Sequence, residues 1–273
     1  MIPFKSISNS KNKKCHFFHA NGYPPDAYKS MLQYISSKYD LKSMLHRQFW
    51  NDNHEPEKVK SWDFFLDDIE QYTKENNINN DYGIGHSISG NLLLRSCMKN
   101  RNLYKKIVLL DPTIFSPMTI YIWKILTYLN AHPLIINSRK RRKQFNNFND
   151  VFSSYRSKKI FSKIGDIQIN EYIQSIFKEV NNGVQLSFNW KWEEVMYKTA
   201  GVKDFDIWKN LRKLKTPTLI IIPEESPVLR KQATKKIEKN EYIEIKRLKN
   251  TTHLFPLEQP KNTAKIILDF FSK

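Results

Sequence analysis

The sequence predicts an α/β fold with a mostly parallel central sheet, helices on both faces of that sheet and a helical cap insertion. Short, continuous apolar runs alternate with helical patterns, as expected of parallel strands that crossover helices bury on both faces. The alternation stops after Pro112 and resumes at Thr216, and the segment between them is helical in pattern, aromatic and basic, with no clear strand. We therefore expect a core domain of residues 1–112 and 206–273 and a helical cap of residues 113–205.

Each element of this fold is predicted from local composition. Segments rich in apolar and β-branched residues predict the strands Cys15–His19, Met44–Trp50, Asp81–His86, Lys106–Asp111, Pro217–Pro223 and Tyr242–Ile245. Segments with helical periodicity predict the helices Pro25–Tyr39, Ser61–Glu75, Ser89–Lys99, Arg230–Lys239 and Ala264–Phe271. Within the cap, the apolar run Phe115–Leu129 is expected to pack the core of the cap or to cover a pocket.

Composition limits the class of protein. The 273 residues, 40% of them hydrophobic, are enough for one sizeable core. Cys15 and Cys97 are too few for a disulfide framework and suit a reducing compartment. The first residues lack the apolar run of a signal peptide. The longest apolar stretch, Met118–Leu129, contains Lys124 and is too short to span a bilayer. These features predict a cytoplasmic protein without a membrane span.

The formal net charge of +18 comes mostly from scattered lysines. The one dense basic block, Arg139–Lys143, is typical either of a solvated face or of a site for phosphate or anionic lipid. No zinc-ligand spacing, phosphate-binding loop or RNA-binding aromatic pattern accompanies it. We expect no nucleic-acid partner, and the oligomeric state stays open.

The stretch Gly83–Gly90 (GIGHSISG) holds three of the 7 glycines of the chain. It lies between a predicted strand and a predicted helix, where a serine on a sharp turn can expose its hydroxyl above the sheet. Gly85 supplies the small residue two positions before Ser87, and Ser89 stands two positions after it, where glycine is usual. The N–H of Ile88 begins the helix and could stabilise an oxyanion. Ser87 is therefore the candidate nucleophile.

A nucleophilic serine needs a base. His253 lies between the last strand and the last helix, and a loop at that place passes over the serine turn in this topology. Tyr23 follows a sharp turn at Gly22 after the first strand, and its backbone N–H is the candidate for a second oxyanion donor. His86 should point away from Ser87 and shape the turn. The remaining candidates, His16, His46, His54 and His132, are interpreted as packing or surface residues.

Five segments taken in order carry a resemblance to a known superfamily: HANGYPP, GHSISG, KIVLLDPTIF, PTLIIIP and TTHLFPLEQP. Together they resemble the α/β-hydrolases, and more narrowly a bacterial group of serine hydrolases whose oxyanion segment reads His-Ala-Asn-Gly-Phe. Tyr23 stands where that group has phenylalanine. The resemblance implies a sheet-plus-cap fold, a site built on a serine and a histidine, and no metal or organic cofactor.

The acid that would complete a triad is not fixed by the sequence. Most such hydrolases have an aspartate after the strand that corresponds to Pro217–Pro223, but here the loop reads Glu224-Glu225-Ser226-Pro227. Asp111, at the end of the preceding predicted strand, is the first candidate. Glu224 and Glu225 are the alternatives, and a chain with no acid also remains open.

These observations favour a serine hydrolase that cleaves carboxylic esters or related acyl compounds through a Ser87 acyl-enzyme, with His253 as general base. The aromatic cap favours a small, apolar ester or acyl substrate. Transfer of the acyl group to an acceptor other than water would use the same residues. The alternative hypothesis is a catalytically weakened binding protein of the same fold, whose anionic partner contacts Arg139–Lys143.

Overall fold

A computed structural model of the protein describes residues 1–8, 13–50, 54–202, 204–224 and 226–273. The strands within these residues are β1 (Phe4–Ser6), β2 (Lys14–Phe18), β3 (Asp40–Met44), β4 (Asp81–His86), β5 (Tyr104–Leu110), β6 (Gln144–Phe145), β7 (Phe177–Val180), β8 (Gly183–Leu186), β9 (Thr218–Pro223) and β10 (Ile243–Leu248). The helices are α1 (Lys29–Ser36), α2 (Asp63–Glu75), α3 (Ile88–Lys99), α4 (Pro117–Tyr128), α5 (Pro133–Lys140), α6 (Phe148–Arg156), α7 (Asp166–Ile176), α8 (Trp190–Lys198), α9 (Phe205–Asn210), α10 (Lys231–Ile237), α11 (Phe255–Glu258) and α12 (Pro260–Ser272).

The central sheet has seven strands in the order β1-β3-β2-β4-β5-β9-β10. All neighbouring strands are parallel except β1, which pairs antiparallel with β3 at one edge. Apolar side chains of α1 and α12 pack on one face of the sheet, and those of α2 and α3 pack on the other. The predicted fold class, a mostly parallel sheet covered on both faces, is confirmed.

One strand prediction was wrong. The segment Met44–Trp50 was expected to form a strand, but β3 ends at Met44 and the chain continues into a 3-10 turn at Arg47–Phe49. The strand itself begins at Asp40 and carries half-buried Lys42, so its polar residues hide it from a search for continuous apolar runs. Its position beside the short edge strand β1 explains why these polar side chains are tolerated.

The segment between β5 and β9 contains α4 to α9 and a second sheet of three antiparallel strands in the order β6-β8-β7. The expectation that this segment has no strand was therefore wrong. The three strands are two to four residues long and carry exposed polar side chains such as Lys178 and Gln185, which gives the sequence no apolar signal. The cap boundaries at residues 113 and 205 stay a prediction. Across the described ranges, no helix has the length and apolar character needed to cross a membrane.

Candidate active site

Ser87 occupies a strained turn between β4 and α3. Its backbone has φ 58° and ψ −120°, a conformation that a non-glycine residue adopts at a cost on the order of 1–3 kcal/mol. The turn is possible because its neighbours are small. A Cβ added to Gly85 would lie 2.7 Å from the backbone oxygen of Ser89, and one added to Gly90 would lie 2.8 Å from the side chain of Pro112. This is the close strand-to-helix passage that the sequence predicted.

The side chain of Ser89 connects α3 to the segment that follows β2. Its hydroxyl donates to the backbone oxygen of His19 at 2.6 Å. Nε2 of His46 donates both to the backbone oxygen of His19 and to the hydroxyl oxygen of Ser89, at 2.8 Å to each. Burial lowers the pKa of His46 to about 4, so this ring is neutral at neutral pH. The sequence predicted His46 to be only a packing or surface residue, but its ring connects the serine turn to the HANGYPP segment.

The structure brings Ser87, His253 and Asp111 into hydrogen-bond contact. The Oγ of Ser87 lies 3.0 Å from Nε2 of His253, and Nδ1 of the same ring lies 2.6 Å from Oδ2 of Asp111. Because a carboxylate accepts hydrogen bonds, Nδ1 carries the proton and Nε2 is left to accept the proton of the serine hydroxyl. The imidazole therefore has the tautomer that a general base requires.

Asp111 is fully buried, with an exposed fraction of 0%. Ser226, which stands where an aspartate was sought, donates its hydroxyl to Oδ1 of Asp111 at 2.5 Å. The oxygen of Ser226 in turn accepts the N–H groups of Val228 and Leu229, at 3.2 and 2.7 Å. These two N–H groups orient the Ser226 hydroxyl so that its proton points at the carboxylate. Both oxygens of Asp111 therefore accept a hydrogen bond, one from Ser226 and one from His253.

Of the two alternative acids, Glu224 lies within the described part of the chain. Glu224 is exposed, and its Oε2 accepts the backbone N–H of Asn250 at 3.2 Å. It therefore lies beside the β10 end of the histidine loop, while the ring of His253 is already bonded to Asp111. Glu225 lies outside the described residues. Among the described carboxylates, the geometry favours Asp111 as the partner of the imidazole.

His86 holds the loop that carries His253. Its Nε2 donates to the backbone oxygen of His253 at 3.0 Å, and its Nδ1 accepts the hydroxyl of Tyr28 at 2.7 Å. Burial, followed by the nearby His253 ring, lowers the pKa of His86 well below its usual value and keeps it neutral. The sequence predicted that His86 shapes the serine turn. It had no signal for this contact with the histidine loop, because the two residues are 167 positions apart.

Thr113 is a second neighbour of the nucleophile that sequence reasoning missed. Its hydroxyl lies 3.3 Å from Oγ of Ser87, and its N–H donates to the backbone oxygen of Ser87 at 3.0 Å. The side-chain amide of Asn91 donates to the backbone oxygen of Thr113 at 2.7 Å and to Oδ1 of Asp204 at 3.1 Å. Burial raises the pKa of Asp204 to about 6. This buried polar group fixes the chain just after Asp111.

The two predicted oxyanion donors differ in their surroundings. Ile88 is the first residue of α3, so its N–H has no acceptor within the helix and points along the helix dipole. The N–H of Tyr23 donates to the backbone oxygen of Ala20 at 3.1 Å in a turn. A substrate oxygen would have to share or replace that bond. Tyr23 therefore stays a proposal as the second donor.

The HANGYPP segment is also held from the α8 side. The amide of Asn21 donates to the backbone oxygen of Glu193 at 3.1 Å, and a Cβ on Gly22 would lie 3.4 Å from the Glu193 carboxyl group. The same carboxylate accepts Nη2 of Arg141 at 2.6 Å. Burial opposes the charge of Arg141, but Glu193, Tyr172 and Tyr155 together outweigh it and raise the pKa of the guanidinium. Arg141 thus departs from the expectation of a uniformly solvated basic block.

Within the described residues, no group of three or more His, Cys, Asp or Glu side chains is arranged to hold a metal ion.

The sheet order, the strained serine between β4 and α3 and the histidine after β10 define the α/β-hydrolase fold. Comparison with solved structures gives the same class. E-2-(acetamidomethylene)succinate hydrolase is similar over 99% of this chain and 94% of its own, with a TM-score of 0.81 at 15% identity. A thioesterase domain from the curacin biosynthetic pathway gives a TM-score of 0.74 at 15% identity, over 97% of this chain and 94% of its own.

A peroxisomal α/β-hydrolase from Saccharomyces cerevisiae gives a TM-score of 0.72 at 14% identity, over 98% of this chain and 80% of its own. No protein-family model and no curated protein matches the sequence. At these identities the likeness shows the fold, and the structural neighbours of this chain are hydrolases.

Proposed function

We propose that the protein is a serine hydrolase that cleaves carboxylic esters or related acyl compounds. The observation that carries the proposal is the chain of contacts from Ser87 to His253 at 3.0 Å and from His253 to Asp111 at 2.6 Å. Backbone strain such as that of Ser87 persists only where the surrounding structure enforces it, and it is concentrated at active sites.

In the first half of the reaction, the hydroxyl oxygen of Ser87 attacks the carbonyl carbon of the substrate. Nε2 of His253 takes the hydroxyl proton as the C–O bond forms, and the resulting imidazolium is stabilised by the buried carboxylate of Asp111. The imidazolium then protonates the leaving alkoxide, which departs as the alcohol. In the second half, His253 deprotonates a water molecule, and attack of that water releases the acid and regenerates the serine hydroxyl.

The negative charge on the carbonyl oxygen develops close to the start of α3. The N–H of Ile88 is the first donor, helped by the helix dipole, and the N–H of Tyr23 is the second. Tyr23 can donate fully only if its bond to Ala20 loosens when the substrate oxygen arrives. In this proposal the oxyanion site is completed by the substrate.

The substrate class is inferred from the cap and from the similar structures. The aromatic cap favours an apolar small molecule, and the similar thioesterase domain and E-2-(acetamidomethylene)succinate hydrolase support acyl chemistry in this fold. The contact of His253 with Asp111 supports full catalytic competence over the alternative of a weakened binding protein, which drew on the missing aspartate after β9. A cytoplasmic location stays a prediction from composition.

The test combines covalent labelling with turnover. A fluorophosphonate should label the wild-type protein, and Ser87→Ala should abolish both labelling and hydrolysis of p-nitrophenyl butyrate. The matched control is Ser157→Ala, which changes an exposed serine whose hydroxyl bonds to the backbone oxygen of Ser154. It should behave as wild type. Labelling that survives Ser87→Ala in a folded protein would contradict the proposal.

A further inference from the structure

Helix α4 exposes an apolar stripe to solvent. Six of the twelve exposed large apolar side chains in the described residues belong to this helix and its first following residue: Met118 (61%), Tyr121 (62%), Ile122 (47%), Ile125 (58%), Tyr128 (86%) and Leu129 (63%). At 100° per residue they fall within an arc of about 120° on one side of the helix. The opposite side, with Ile120 and Trp123, packs against the protein. The apolar run Phe115–Leu129 was expected to pack the core of the cap or to cover a pocket, and on α4 only the side with Ile120 and Trp123 packs against the protein.

Such clustering is unlike the scattered exposed apolar residues of an ordinary surface. Patches on the order of several hundred Å² usually mark a docking site for another surface. The other exposed apolar side chains, such as Ile160 and Ile167, lie on separate elements. The stripe on α4 is therefore a candidate docking surface.

The charge around the stripe indicates the chemistry of that occupant. No Asp or Glu occurs between Asp111 and Asp150, while this segment contains six Lys and Arg residues. Among them, Lys124 on α4 itself, Lys140 and Arg142 are exposed. Arg139 and Arg141 are paired with Glu194 and Glu193. Among the described residues, the unpaired positive charge on α4 itself is that of exposed Lys124. An apolar helix face that carries a lysine, in a chain with a formal net charge of +18, matches an anionic lipid surface, where cations meet phosphate groups and apolar side chains enter the acyl boundary.

We propose that the α4 stripe docks on anionic phospholipid membranes, with the helix lying in the plane of the interface. The helix of 12 residues is about 18 Å long, which is too short to cross a bilayer but sufficient to lie in it. A second copy of the chain is a poorer occupant, because self-association would bring two of these cationic segments together. The proposal is independent of the proposed hydrolase activity.

Docking in this way would bring the active site to the membrane surface. Helix α4 begins six residues after Asp111, so the start of the helix lies within about 20 Å of the buried acid along even a fully extended chain. The carboxyl edge of the sheet, which carries Ser87 and Asp111, is therefore held near the interface.

The experiment is vesicle flotation with two lipid compositions: phosphatidylcholine alone, and phosphatidylcholine with about 30% phosphatidylglycerol. The protein should float with the anionic vesicles, and raising the salt concentration should weaken binding because it screens the cations. The double variant Ile122→Asp with Ile125→Asp should lower the partition coefficient by roughly tenfold or more, since it places two carboxylates on the apolar face.

The matched control is Ile160→Asp with Ile167→Asp, which changes the same residue type at comparable exposure of 54% and 69%. It should bind within twofold of wild type, and Ser87→Ala should bind fully. Circular dichroism and thermal melting verify that each variant is folded. Failure of the wild type to float, equal loss in both double variants, or undiminished binding of the α4 variant would overturn the proposal. Concentration-dependent dimerisation that only the α4 variant abolishes, without vesicle binding, would instead assign the stripe to a second copy.

Discussion

Replacing Asp111 with asparagine tests the arrangement of the site most directly. The substitution keeps the size and shape of the side chain but removes its charge and turns one oxygen into an NH2 group. Ser226 directs its proton at one oxygen position, and Nδ1–H of His253 is directed at the other. An NH2 group at either position faces a donor. If it faces His253, the imidazole proton moves to Nε2, and the ring can no longer accept the proton of Ser87.

The magnitude follows from the separation of the charges. Two unit charges at 2.6 Å attract by about 6 kcal/mol at an effective dielectric constant of about 20. Spreading the charges over both carboxylate oxygens and both ring nitrogens lengthens the mean separation to roughly 4 Å and lowers the attraction to about 4 kcal/mol. The charge of the acid is thus worth about 4–6 kcal/mol to the imidazolium that forms in the transition state, or roughly a 10³- to 10⁴-fold fall in kcat/KM.

The assay is hydrolysis of a graded set of p-nitrophenyl esters by the wild type, Asp111→Asn and Glu224→Gln. Glu224 is an exposed carboxylate that accepts the Asn250 N–H, so its variant should stay within twofold of wild type. Equal activity in all three proteins would refute the choice of acid while leaving the nucleophile intact. A large loss in Glu224→Gln with none in Asp111→Asn would reassign the role to that glutamate.

Three further outcomes are expected. Ser226→Ala removes a hydrogen bond to the carboxylate of Asp111 and should lower kcat by roughly 10- to 100-fold with little change in KM, measured by the same assay. Gly85→Ala places a methyl group against the backbone of α3. It should lower the free energy of unfolding by about 1–3 kcal/mol, measured in urea, and impair fluorophosphonate labelling. Its control, Gly165→Ala, adds a methyl group that meets only the flexible end of a glutamine and should leave labelling unchanged. Burial raises the pKa of Asp204 from 3.8 to about 6, so the folded state loses stability as the pH rises through this range. Asp204→Asn should therefore stabilise the protein by up to about 3 kcal/mol at pH 8 and by much less at pH 4, and an equal effect at both would contradict the assignment.

The parts of the site that the sequence predicted are those that depend on local geometry. Ser87 stands out because a strained turn needs small residues at fixed distances along the chain, and Gly85 and Ser89 stand at those distances. His253 could be placed because the order of the elements brings its loop to the same edge of the sheet. Strand β4 was predicted to the residue for a similar reason, since it ends at that turn.

The parts that the sequence left open depend on contacts between distant residues. The choice of acid required knowing that Ser226 faces Asp111 across 115 positions of the chain. The contact of His86 with the histidine loop and the role of Thr113 were missed because both depend on contacts between residues that are distant in the sequence. Strand β3 was missed because it carries polar residues beside the edge strand β1, and the small sheet was missed because its strands are short and carry exposed polar residues.

The connection between Glu193 and Asn21 bears on how this protein could be engineered. In many modular proteins an inserted segment can be deleted or exchanged while its host keeps working. Here α8 supplies the carbonyl that anchors Asn21, and its neighbour Arg141 neutralises the buried Glu193. A chimaera that imports a foreign insertion must therefore also supply a backbone acceptor for Asn21 and an ion pair in place of Glu193 and Arg141, or the backbone at Gly22 and Tyr23 would lose its support.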